Sequence, residues 1–131
     1  MILVLPLGIC WLTAILLSPL DGRKKWVDWI GILGLFGSLL ASIVLTMNVF
    51  ESGPVEMLVG GWEQGLGIRL RADALGMIYV LLANTLLLIA LAYEAQTQVQ
   101  ERAFPALVLF LAAGLNGLFL TRDMFNFYVY F

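Results

Sequence analysis

The sequence predicts an all-α membrane protein with four transmembrane helices and the start of a fifth, and an external β-hairpin between helices two and three. Three observations carry that expectation. The 131-residue chain is 62% apolar and 12% charged, whereas a soluble domain is roughly 45–50% apolar and about 25% charged. The apolar residues fall into four long runs nearly free of charge. Between the second and third runs, apolar and polar residues alternate on both sides of a glycine-rich turn. The remaining loops are too short for a soluble domain, so residues 1–131 read as a single membrane domain.

A spanning helix needs about 20 mostly apolar residues. The first expected span is Met1–Leu20. Its basic cluster, Arg23-Lys24-Lys25, follows the apolar stretch, whereas a cleaved signal peptide carries its basic residues in front. The second span is Trp29–Phe50, the third Ala74–Tyr93 and the fourth Ala103–Thr121. Basic residues set the orientation, because cytoplasmic loops are enriched in Lys and Arg. Loop one (Asp21–Asp28) holds the Arg23-Lys24-Lys25 cluster and loop three (Glu94–Arg102) holds Arg102. Arg69 and Arg71 in loop two (Glu51–Asp73), with Arg122, count the other way. The compact cluster in loop one tips the balance: the N-terminus is expected outside, with loops one and three in the cytoplasm. Trp26 and Trp29 flank the cluster as an aromatic belt at the headgroups.

Composition also excludes functions. The chain has no histidine, so bis-His haem ligation, a His–Cys zinc site and a Ser–His–Asp triad cannot be built within it. The single cysteine, Cys10, forms no internal disulfide and reads as a small packing residue. A formal charge of −2 gives no basic footprint for nucleic acid. No catalytic residue, metal or cofactor is expected, and the first partner is the lipid bilayer.

Within the spans, Gly34, Ser38 and Ser42 lie four residues apart, as do Ala113, Gly117 and Thr121. That spacing puts each set on one helix face and lets a neighbouring helix approach closely. Asn84 and Asn116 sit mid-span. An unpaired amide in lipid is costly, so both are expected to face protein or water, either hydrogen-bonding between helices or lining a hydrated path. No Asp, Glu, Lys or Arg lies near the centre of a complete span, so the chain alone lacks the parts of a proton relay.

In loop two, Val55, Met57 and Val59 alternate with Glu56 and Leu58, and Ile68 and Leu70 alternate with Arg69 and Arg71. The turn between them is Gly60-Gly61-Trp62-Glu63-Gln64-Gly65. This is a hairpin pattern. Its apolar face is expected on the bundle rim, Trp62 at the membrane interface, and Arg69 and Arg71 towards water, lipid phosphates or a neighbouring subunit. Asp73 precedes the third span, where a carboxylate caps free N–H groups. Met124–Phe131, after Arg122-Asp123, reads as the beginning of a fifth span. Eight residues rise only about 12 Å of a ~30 Å hydrocarbon core. Truncation, continuation of the bundle by another chain, or an interfacial aromatic anchor each accounts for that.

Taken together, these residues resemble a known family. Gly60-Gly61-Trp62, then Gly67-Ile68, Leu70, Asp73 and Leu75, is similar to the external hairpin leading into the third span of the D-subunit of Mrp-type cation/proton antiporters. The run from Leu111 to Thr121, with Asn116-Gly117 inside it, resembles the next span, and Asp123–Phe131 the start of the fifth helix. The wider superfamily includes the antiporter-like membrane subunits of respiratory complex I and of membrane-bound hydrogenases. The resemblance implies that this chain is the N-terminal portion of a larger subunit that moves protons, with Na⁺ as a candidate coupling ion, beside other membrane subunits in a bacterial or archaeal cell membrane. It implies that a key glutamate follows just beyond Phe131. With Asn116, read above as a mid-span amide able to line a hydrated path, Asp123 is an ion-path candidate within the chain. Asp123 falls on an acidic position of the family, and Arg122 where a small residue is more usual. Two other readings stay open at this point: a membrane subunit of an NADH-quinone oxidoreductase or hydrogenase complex, and a small scaffold or assembly protein that transports nothing.

Overall fold

A computed structural model of the chain describes residues 2–59, 68–97 and 101–131. A short 3-10 turn, Ile2–Val4, leads into α1 (Leu5–Leu17) and then α2 (Lys25–Ser52). Strands β1 (Val55–Val59) and β2 (Ile68–Ala72) follow, then α3 (Ala74–Glu94), α4 (Phe104–Leu120) and α5 (Met124–Tyr130).

Local chemistry sets most of the boundaries. Pro6 and Pro105 sit in the first turns of α1 and α4, where a missing N–H costs no hydrogen bond. α1 stops at Leu17 rather than Leu20 because Pro19 has no N–H with which to continue the helical hydrogen bonds, although Ser18 before it still keeps helical dihedrals. α2 begins at Lys25, ahead of the expected Trp29, because residues 25–28 contain no helix breaker. It ends where Gly53 takes a positive φ of 83° and Pro54 follows. At the start of α3, Asp73 Oδ1 accepts a 2.8 Å hydrogen bond from the Gly76 N–H. Asp73 thereby satisfies one of the helix's free donors.

Two helices, α2 and α3, are long and apolar enough to cross a membrane; Ile2–Leu17 and Phe104–Leu120 are shorter apolar helices. α1 packs on α2, α2 on α3, α3 on α4 and α4 back on α1, and α5 lies against α4. The surface is apolar: Leu12, Trp29, Leu33, Phe50 and Tyr93 are all exposed, while the interior positions of α2 include Gly31, Ser38 and Ser42. The interior mixes these small residues with Leu35, Leu45 and Met77, and the small ones let neighbouring helices approach closely.

The two ends of the bundle are fastened differently. At one end, the Gly22 N–H donates to the Arg102 carbonyl at 2.9 Å, joining the α1–α2 and α3–α4 connections. At the other, β1 and β2 pair antiparallel with Val55 opposite Ala72 and Met57 opposite Leu70. Val55, Met57, Leu70 and Ala72 form the inner face and pack on Leu3, Leu45 and Met77. Leu70 also bridges to Thr121, and the Arg122 N–H donates to the Arg69 carbonyl at 3.0 Å, so the hairpin grips the α4–α5 junction. Gly60–Gly65, the expected turn, and Trp62 lie outside the described residues.

The buried side chains form two apolar clusters. One, nearer the Gly22–Arg102 end, includes Cys10, Leu35, Leu91 and Ala113. The other, under the hairpin, includes Leu3, Leu45, Val80 and Leu120. Along α2, α3 and α4 the residues between the clusters are Ser38, Ser42, Asn84 and Asn116, all fully buried.

Candidate functional site

The middle of the bundle is a polar layer built by all four long helices. The spacing in α2 creates it: Gly31, Leu35, Ser38, Ser42, Leu45 and Val49 are buried and recur every three or four residues, so they share one face. Two serines in that stripe donate their hydroxyl protons to backbone carbonyls. Ser42 Oγ donates to the Ser38 carbonyl at 2.8 Å, within α2. Ser38 Oγ donates across to the Pro6 carbonyl of α1 at 2.9 Å. The serine oxygens then accept from the asparagines. Asn84 Nδ2 of α3 donates to Ser42 Oγ at 3.1 Å, and Asn116 Nδ2 of α4 donates to Ser38 Oγ at 3.4 Å. Asn116 Nδ2 also lies 3.8 Å from Cys10 Sγ. The layer therefore links four helices through neutral groups.

The other residues singled out in the sequence are distributed around this layer. In α2, Gly34 faces Thr13 of α1: a Cβ at Gly34 would lie 2.5 Å from Thr13 Cγ2. In α4, Ala113 is in the apolar core, while Gly117 lies under the ring of Tyr130, whose Cδ1 would be 2.5 Å from a Cβ placed there. One stripe thus faces α1 and α3, and the other admits α5. Asp123 sits at the hairpin end, where its Oδ1 accepts from the Phe125 N–H at 2.9 Å and its Oδ2 from Asn126 Nδ2 at 3.5 Å. It does not share a described partner with Asn116, so the structure does not bring the two ion-path candidates together. On the hairpin's outer face Arg69 is exposed, and Arg71 pairs with Glu56, directly opposite, at 2.8 Å.

No family model matches the chain. Curated relatives do. The Na(+)/H(+) antiporter D-subunit of Alkalihalophilus pseudofirmus is 39% identical over 98 residues, which cover 72% of this chain and 20% of the relative. The putative antiporter subunit mnhD2 of Staphylococcus aureus strain Newman is 29% identical over 133 aligned positions, covering 99% of this chain and 27% of the relative. The chain belongs to the Mrp antiporter D-subunit family. It spans roughly a fifth to a quarter of the length of these relatives, 20% and 27%. Family membership and the apolar helices identify a membrane protein of an ion-transporting antiporter family.

In this antiporter-family chain the sequence reading misses two buried acids. The expected span boundaries leave Asp28 and Glu94 in loops one and three, yet the structure places them on α2 and α3, 1% and 8% exposed. Glu94 Oε1 accepts from the Glu101 N–H at 3.3 Å. The correction follows from the helix start. With α2 beginning at Lys25, Asp28 falls one turn before Gly31, on the same buried stripe as Leu35 and Ser38. The spacing of Asp28 from Gly31 and Leu35 is in the sequence, but spacing alone does not say what that face meets, and the charge of Asp28 sets the start of the expected span too late.

Proposed function

We propose that the chain is the N-terminal part of a Na⁺/H⁺ antiporter D-subunit, whose helices supply walls and packing faces beside the ion path of a multisubunit antiporter. One observation carries this: the centre of the bundle holds Ser38, Ser42, Asn84 and Asn116, all buried and none ionisable. A proton relay needs groups that charge and discharge within the membrane. In this reading α1–α4 all cross the bilayer and α5 begins a fifth crossing. α4, with 17 residues, rises about 26 Å, a little less than the ~30 Å hydrocarbon core, a mismatch that local thinning absorbs at small cost. The N-terminus and hairpin face outside, and the Gly22–Arg102 end faces the cytoplasm. The partners are the lipid bilayer and other membrane subunits; the transported ions are protons, with Na⁺ as the candidate coupling ion. The relatives' names support the antiporter reading over an NADH-quinone oxidoreductase, a hydrogenase or a bare scaffold.

The test is flux. The 131-residue chain is reconstituted in vesicles carrying an internal pH dye, and a proton or sodium gradient is imposed. No dissipation above that of empty vesicles is expected for the chain, for Asp123→Asn or for Asp73→Asn. Reproducible flux that disappears in Asp123→Asn would show that the chain carries its own path, and would overturn the proposal.

A further inference from the structure

The polar layer is incompletely satisfied. Asn84 and Asn116 are both fully buried, and the Oδ1 of each is sealed from solvent with no hydrogen-bond partner among the described residues. Each orphaned amide oxygen in such a place costs about 1–3 kcal/mol, and buried polar groups in native structures are nearly always partnered. Turning the carboxamides over does not solve this. Each asparagine has one polar neighbour of the serine pair at one end, Ser42 for Asn84 and Ser38 for Asn116. Rotation therefore exchanges an orphaned oxygen for an orphaned NH₂.

We propose that the layer is a binding site for internal water, with a water molecule donating to Asn84 Oδ1 and another, or the same one, to Asn116 Oδ1. No described residue supplies the missing partner, and both oxygens are closed off by the surrounding helices, so the ligand sits inside the bundle. It must be small. It must also suit a site whose groups are hydroxyl, amide, thiol and carbonyl, with no carboxylate among the partners. A neutral donor meets these conditions without the desolvation cost that an uncompensated cation would incur. Water also serves either orientation of the amide, since it donates and accepts, and buried waters typically make about three hydrogen bonds to groups of this kind. Apolar clusters lie on either side of the layer, so the polar groups of Ser38, Ser42, Asn84 and Asn116 mark the level at which the water binds. This inference stands on the hydrogen-bond geometry alone and does not depend on the antiporter reading.

A crystal structure of the whole 131-residue chain in a lipidic phase, at a resolution that shows ordered water, tests it. Crystals are grown in sodium and, in parallel, with choline replacing sodium. The expected result is a spherical density peak about 2.7–3.1 Å from Asn84 Oδ1 or Asn116 Oδ1, unchanged by choline. In Asn84→Leu the peak next to residue 84 is lost; if that variant does not fold, the two wild-type crystals decide alone. Absence of density at both oxygens would overturn the proposal. A peak at about 2.3–2.5 Å, the range for a hard cation on oxygen ligands, that vanishes in choline would overturn it as well, replacing water with sodium.

Discussion

Gly76 and Gly8 show how differently two helical glycines are constrained. A Cβ at Gly76 would lie 2.8 Å from the Phe119 carbonyl oxygen and 3.1 Å from Asp73 Oδ1, whereas one at Gly8 would meet nothing within 4 Å. The Phe119 oxygen is backbone and cannot swing away, so α3 and α4 must separate. Gly76→Ala is expected to destabilise the bundle by about 1–3 kcal/mol, as overpacking does. Gly8→Ala is expected to be neutral or to stabilise by up to about 1 kcal/mol, the helix-propensity gain. Reversible unfolding in mixed micelles measures both; equal effects would refute the close α3–α4 approach. Gly117 gives a third case, because what crowds it is the Tyr130 side chain. Gly117→Ala should loosen α5 from α4, seen as faster proteolysis after Asp123. Adding Tyr130→Ala should relieve the crowding, so that the double variant is more stable than the two single effects sum to.

The hairpin and its helix start behave as one element. Asp73 follows β2 directly and caps α3 through Gly76, so Asp73→Ala should cost about 0.5–2 kcal/mol. The Arg71–Glu56 pair lies opposite across the strands, with side chains 25% and 58% exposed. A cross-strand ion pair at the surface is worth roughly 0.2–1 kcal/mol. Glu56→Gln should therefore be nearly silent, and its small effect should shrink further in high salt. By contrast Leu70 is 2% exposed and bridges to Thr121. Leu70→Asp should detach the hairpin from the α4–α5 junction and expose the β strands to protease. If Glu56→Gln costs as much as Leu70→Asp, the apolar inner face is not what anchors the hairpin.

For the whole molecule the decisive measurement is sidedness. Cys10 is the one cysteine and is fully buried, so the unmodified chain should give no signal with an impermeant thiol reagent. Lys24→Cys and Glu56→Cys place thiols at opposite ends of the bundle, both on exposed positions. In intact cells Glu56→Cys is expected to react and Lys24→Cys to react only after permeabilisation. The reverse pattern would invert the proposed topology, and reaction of both in intact cells would show that the two ends are not separated by a membrane.

Local pattern along the chain is enough for the apolar class of the protein, the order of its helices, and the hairpin between α2 and α3, because periodicity and alternation involve near neighbours only. Asp73's place ahead of α3 and the four-residue spacing of Gly34, Ser38 and Ser42 are equally legible, since each follows from neighbours along one chain segment. The partners come from tertiary packing. Nothing local says that Ser38 reaches Pro6 of α1, that Asn84 meets Ser42, or that Gly117 receives Tyr130 rather than another long helix. Nor does local pattern reveal that Asp28 and Glu94 turn inward, because a charge at the edge of an apolar run looks the same whether it meets water or a neighbouring helix. Periodicity assigns a residue to a face; only the packing of four helices settles what that face touches, and so which polar atoms are left to be satisfied.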